Sequence, residues 1–176
     1  MSNLLSNRRY IIIHFMKKST GKSRLRPTSS LVKQAVFNIL GDIREKLFLD
    51  LFAGTGQIGM TALERGARVI FVEKNQKLAE IIKGKVGKNV YKMDALQFLI
   101  GMNEEADIIF ADPPYDYKNY EKLIELSIKK LKPGGIFILE HRKDKNFGAH
   151  EVRRYGDTVL SIWRKEHDEG GLSGNF

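Results

Sequence analysis

Ala111-Asp112-Pro113-Pro114-Tyr115 packs a carboxylate, two prolines and an aromatic ring into five consecutive positions. Each proline fixes φ and removes a backbone donor, so the segment is stiff and its carbonyls stay available to accept hydrogen bonds. Those parts suit one demanding substrate, an exocyclic aromatic amine whose lone pair is delocalised into its ring. Acceptors at Asp112 and the Pro113 carbonyl would hold the two N–H bonds and turn the lone pair toward an electrophile. Tyr115 would stack on the base, which must leave its own stack before the amine can be reached. The transfer would then be an in-line displacement driven by positioning and electrostatics. In isolation the same residues also make an ordinary strand-ending turn, so the residues upstream decide between the readings.

Upstream stands Gly54-Thr55-Gly56-Gln57-Ile58-Gly59, a G-x-G-x-x-G between an apolar strand and a helix. Glycines there allow a tight turn and a close approach of backbone to a ligand. Glu73 ends the following strand, where a carboxylate can accept from ribose hydroxyls, and Lys74 follows it. Asp50 lies four residues before Gly54, where it would repel a pyrophosphate held at the helix N-terminus. It suits a cationic ligand instead, and S-adenosylmethionine carries both an ammonium and a sulfonium. The plainer alternative for Asp50 is a strand-end carboxylate bonding nearby backbone amides. Asp94-Ala95 follows the third strand and is placed to bond an adenine amino group. Asp94 can also cap the helix starting near Ala95, and the two roles coexist because capping uses one carboxylate oxygen.

The elements that must hold these groups follow from periodicity. Thr28 or Ser29 can cap a helix through about Leu40, whose apolar stripe is Leu31, Val32, Ala35, Val36 and Ile39, with Gly41 ending it. Strands are expected at Leu47–Phe52, Arg68–Val72, Asn89–Lys92, Asp107–Ala111 and Ile136–Glu140, and a short one at Tyr10–Phe15. Helices alternate with them from the glycines to about Arg65, Asn75 to about Val86, Ala95–Ile100, and Tyr120 to about Leu131. Lys132-Pro133-Gly134-Gly135 reads as the turn into the last of these strands. Such alternation predicts an α/β fold with a mostly parallel sheet and helices on both faces. Glu151–Tyr155 and Thr158–Trp163 flank Gly156-Asp157, which predicts a closing antiparallel hairpin.

Composition sets outer bounds. The chain of 176 residues has no cysteine, which rules out disulfides, thiolate metal sites and cysteine nucleophiles. His14, His141, His150 and His167 lack metal-ligand spacing, so no metal is expected. No apolar run is long enough to span a bilayer, and with no export signal visible the expected location is the cytoplasm. Residues 1–46 carry ten Lys/Arg against Asp42 and Glu45, which is +8 of the total +9. A basic arm beside a near-neutral body fits a polyanionic partner and equally fits a solvated tail. The expected layout is a basic arm over 1–25, one catalytic domain over 26–165, and a flexible tail over 166–176.

Leu49-Asp50-Leu51-Phe52-Ala53-Gly54-Thr55-Gly56, Phe71-Val72-Glu73 and Asp112-Pro113-Pro114-Tyr115 together resemble the class I amino-methyltransferases. Arg26-Pro27-Thr28 with Ala35-Val36-Phe37-Asn38-Ile39-Leu40, and Arg153-Arg154-Tyr155-Gly156-Asp157-Thr158, are similar to segments of the bacterial small-subunit ribosomal RNA guanine-N2 methyltransferases. The likeness spans about residues 21–164, although that family usually begins with a Gly-rich basic hairpin and Met1–Thr20 reads differently. It implies a Rossmann-like domain with a seven-stranded sheet, acting as a monomer on the N2 amine of a guanine in ribosomal RNA or an assembling small subunit. The implied lining of S-adenosylmethionine is Asp50, Phe52, Ala53, Gly54, Thr55, Gly56, Gly59, Glu73, Lys74, Asp94, Ala95 and Asp112. Asp112, Pro113 and Tyr115 would hold the amine, with Lys22, Arg24, Arg26 and Thr28 toward the RNA. The rivals are the same chemistry on DNA adenine N6 or on a protein glutamine, a non-catalytic RNA-binding assembly factor, and a dinucleotide-dependent dehydrogenase, which Asp50 disfavours.

Overall fold

The computed structural model describes residues 30–167. Lys22, Arg24, Arg26, Thr28, the expected strand at Tyr10–Phe15 and most of the expected tail lie outside the described residues.

Among the described residues five helices and seven strands follow in the order α1 (Ser30–Leu40), β1 (Leu47–Leu51), α2 (Gln57–Glu64), β2 (Arg68–Val72), α3 (Gln76–Val86), β3 (Val90–Tyr91), α4 (Ala95–Gly101), β4 (Ala106–Ala111), α5 (Tyr120–Lys129), β5 (Leu131–Arg142), β6 (Glu151–Tyr155) and β7 (Thr158–Arg164). The sheet runs β3-β2-β1-β4-β5-β7-β6. The first five strands in that row pair in parallel, and β7 joins β5 and β6 antiparallel. The expected parallel sheet closed by a hairpin is therefore what forms.

Central strands explain their own composition. All five residues of β1 are buried, as expected of a parallel strand covered on both faces, and Asp50 is the one polar exception. Alternate residues feed two core layers. Phe48, Phe71, Ile108, Phe110, Ile136 and Ile138 pack with Val32, Val36 and Phe37 of α1, Ile58 and Ala62 of α2, and Ile82 of α3. Leu47, Leu49, Ile109, Phe137 and Leu139 pack with Phe98 and Leu99 of α4 and Leu123 and Leu126 of α5. Burial at roughly 25 cal/mol per Å² of apolar surface makes these layers the main hold on the fold.

Local signals place the boundaries. Asn75 caps α3 by accepting from the Leu78 amide at 3.2 Å, and Gly41, at φ 64°, closes α1. At the opposite end of the sheet from the glycine loop, Asp107 accepts from the Leu47 amide at 2.7 Å and pairs with Lys132 at 2.9 Å. One carboxylate thus ties together the starts of β1, β4 and β5.

The largest departure from expectation is β5, which begins at Leu131 and runs to Arg142. Lys132-Pro133-Gly134-Gly135 does not precede the strand as a free turn. It lies within it as an irregularity, with a register shift between Ala106 and Ile108 on the partner. The Gly134 amide donates to the Lys165 carbonyl and the Lys165 amide to the Gly135 carbonyl, each at 2.9 Å. One donor and one acceptor of this Pro-Gly-Gly stretch are thus taken up by a neighbour distant in sequence.

Candidate active site

Parallel register brings the functional groups to one edge. Leu51 stands opposite Val72 and Ala111, and Ala111 stands opposite Leu139. The next residues, Glu73, Phe52, Asp112 and Glu140, therefore form a row along the carboxyl ends of four adjacent strands, where ligands bind in open α/β sheets. Asp50 lies two residues below Phe52. By strand alternation Glu73, Asp50, Asp112 and Glu140 all fall on the α1–α2–α3 side, the side of Phe71, Phe48, Phe110 and Ile138.

On β1, Phe52 takes the left-handed φ of 62°, a conformation bulky side chains rarely adopt. It turns the chain so that the Ala53 amide donates to the Val72 carbonyl at 3.0 Å and the Gly56 amide to the Ala53 carbonyl at 2.7 Å. Gly56, at φ 79°, starts α2. Glu73 is buried, and its two oxygens accept from the Gly54 and Asn75 amides, each at 2.7 Å. Each carboxylate oxygen retains a lone pair for a further donor. Asp94 caps α4 through Oδ1 alone, at 2.9 Å from the Leu96 amide and 3.3 Å from that of Gln97.

Asp50 is only 2% exposed. Its Oδ2 accepts the Gly59 amide at 2.9 Å, so the backbone-bonding alternative describes what it does. Burial, opposed in part by that bond and reinforced by the charges of Asp112 and Glu73, raises its pKa from 3.8 to about 7. Desolvation, the largest cause, favours the neutral carboxyl, and the smaller contributions of Asp112 and Glu73 show that the three carboxyl groups interact at this edge of the sheet.

Four expected lining residues have these surroundings. A Cβ at Gly59 would lie 2.2 Å from Phe71 and 2.8 Å from Asp50, so this glycine permits close helix–sheet packing. Ala95 is buried in the second core layer. Lys74 and Thr55 are exposed.

Asp112 and Pro113 lead from β4 into a turn in which the Tyr117 amide donates to the Pro114 carbonyl at 2.9 Å. The Pro113 carbonyl stands outside that turn. Tyr115 is 40% exposed, and the Arg142 guanidinium lies over its ring at 5.2 Å. Sequence reasoning missed the aromatic chain behind this loop. Tyr117 meets Phe52 edge-on at 5.2 Å and Tyr120 at 5.3 Å, and Tyr120 stacks on Phe147 at 4.8 Å. Burial pushes the Tyr117 and Tyr120 hydroxyls up to about 12, so both are neutral donors at physiological pH. His141 is buried beside Phe147. Its Nδ1 lies 2.7 Å from the Arg142 carbonyl, which can only accept, so Nε2 accepts from the Ser161 hydroxyl at 2.8 Å. Burial lowers its pKa and keeps it neutral. Only the clustering of Tyr115, Tyr117 and Tyr120 signalled this part.

No group of residues suited to a metal occurs among the described residues, and no helix among them is long and apolar enough to cross a membrane.

The strand order, the hairpin ending and the glycine loop define the Rossmann-like fold of the class I methyltransferases. A Thermus thermophilus 16S ribosomal RNA guanine-N2 methyltransferase, solved with AdoMet and guanosine, superposes with a TM-score of 0.65 at 22% identity, over 84% of this chain and 45% of that one. Residues 16–164 match the family described as Conserved hypothetical protein 95, and the chain belongs to it. Ribosomal RNA small subunit methyltransferase D of Escherichia coli is 34% identical over 81% of this chain and 80% of its own. The Haemophilus influenzae protein of that name is 33% identical over 69% and 70%.

Proposed function

We propose that this protein transfers a methyl group from S-adenosylmethionine to the exocyclic N2 amine of a guanine in small-subunit ribosomal RNA. The observation that carries the reading is the single register row in which Glu73, at the glycine loop, and Asp112, at the prolines, stand two strands apart. Relatives named for small-subunit ribosomal RNA methylation support the choice of RNA.

The chain's residues fit the cofactor. Glu73 offers lone pairs for a ribose, Asp94 Oδ2 lies outside its cap, and the Asp50–Glu73–Asp112 field suits a cation. When bound, S-adenosylmethionine supplies an electrophilic methyl group on a positively charged sulfur. Asp112 and the Pro113 carbonyl accept the amine's N–H bonds and aim its lone pair, while Tyr115 stacks on the extruded base. Held this way, the amine nitrogen would take up the methyl carbon that the cofactor supplies, and its displaced proton would pass to solvent. Catalysis comes from orientation and charge placement.

The test is incubation with methyl-labelled S-adenosylmethionine and separate pools of RNA, assembling small subunits, DNA and protein. The expected product is N2-methylguanosine in small-subunit RNA. Label confined to DNA or protein would overturn the target.

A further inference from the structure

Beyond Asp112 the register row has a third carboxylate, Glu140 on β5. Ala111 pairs with Leu139, so Glu140 neighbours Asp112 across a strand spacing of about 4.8 Å. Ile136 and Ile138 pack in the same core layer as Phe110, which puts Glu140 and Asp112 on one side of the sheet. A second observation marks β5 as the border of the substrate position. Arg142, two residues on, covers the Tyr115 ring at 5.2 Å, so the ring on which a base would stack lies against the end of β5.

The strand order across this edge orders the groups. The glycine loop and Glu73 lie on the β1–β2 side and Asp112 at the centre. A base whose amine points back toward the loop must extend its ring over β5. The group beside the amine on that ring then faces Glu140, and its identity differs among bases. In guanine the N2 amine lies between the N1–H donor and the N3 acceptor, and of the two only N1–H can bond a carboxylate. In adenine the N6 amine is flanked by the N1 acceptor, and in cytosine N4 by the N3 acceptor. An ionised carboxylate only accepts. Opposite N1–H it completes a charge-assisted bond, whereas opposite an acceptor nitrogen it is repelled and left unsatisfied.

We propose that Glu140 accepts the N1–H of the target guanine and thereby sets the choice of base. The proposal rests on the reading that a guanine N2 amine is the methyl acceptor. It assigns Glu140 to specificity, and Asp112 remains the residue that holds the reacting amine.

The experiment uses the full chain and an RNA fragment spanning the nucleotide that the labelling assay maps. That nucleotide is either guanine or 2-aminopurine, which keeps the 2-amine but replaces N1–H with an acceptor. The wild-type protein is expected to methylate guanine roughly tenfold or more faster. Glu140→Gln, whose amide can either donate or accept, is expected to bring the ratio close to one while S-adenosylmethionine binding, read by calorimetry, stays unchanged. A merely structural Glu140 would change both rates and leave their ratio alone. A wild-type protein that treats the two bases equally would overturn the proposal without any variant, as would a Glu140→Gln protein that keeps the full preference. Absence of methyl on guanine with the wild-type protein is a separate result and would instead remove the parent reading.

Discussion

The two halves of the candidate site are held by different forces. In the glycine-loop half every carboxylate is fixed by backbone amides: Glu73 by Gly54 and Asn75, Asp50 by Gly59, Asp94 by Leu96 and Gln97. In the proline half, ring contacts set the geometry, from Phe52 through Tyr117 and Tyr120 to Phe147, with Arg142 over Tyr115. Backbone bonds admit one arrangement and exclude others. Ring packing tolerates small rotations, and Tyr115 stays accessible. The contrast fits a small invariant ligand on one side and a base arriving on a large polyanion on the other.

The sharpest way to break the comparison is Asp112→Ala. If the halves are separable, methyl transfer should fall by on the order of a thousandfold while S-adenosylmethionine binding stays measurable. Turnover near normal would remove this carboxylate from the mechanism.

Asp50 probes the other half through pH. It binds its proton more tightly folded than unfolded, with a pKa of about 7 against 3.8. Its contribution therefore favours the folded chain at low pH and is lost as pH rises through about 7. Between pH 5 and pH 7 that loss is about 2–3 kcal/mol. Urea unfolding of Asp50→Asn should lack this part of the slope. A variant and wild type with parallel pH profiles would show that the carboxyl ionises normally.

Tyr117→Phe should have the smallest effect. The buried Tyr117 hydroxyl has no hydrogen-bond partner among the described residues, so removing it should leave stability within about 1 kcal/mol of wild type, or slightly above. A loss of several kcal/mol in thermal or urea unfolding would reveal a bond at that oxygen and a stiffer proline half.

The same contrast decides what could be read from the sequence. The glycine-loop half is local: Asp50, Gly54, Gly56 and Glu73 fall at the ends of adjacent strands, and Asn75 and Asp94 announce their helices as caps. Strand β2 and helix α3 were accordingly legible almost to the residue. The aromatic chain was not, because Phe52, Tyr117 and Phe147 meet only once the sheet is assembled, and no local rule joins them. Strand β5 was underestimated for a related reason. Pro133-Gly134-Gly135 is turn chemistry in isolation, and the partner its backbone finds, Lys165, comes thirty residues on. Gly59 was expected to line the ligand, and a spacing motif could not show that Phe71 lies beneath it.

That neighbour has a consequence for how the sequence can change over time. Position 59 has no room for one added carbon while Phe71 and Asp50 stay in place. A smaller residue at 71 would have to come first, leaving a void in the core until the second change filled it. Both routes pass through a less stable protein. Drift at this position is thus blocked by the order in which single substitutions must arrive, whatever the finished combination might have tolerated.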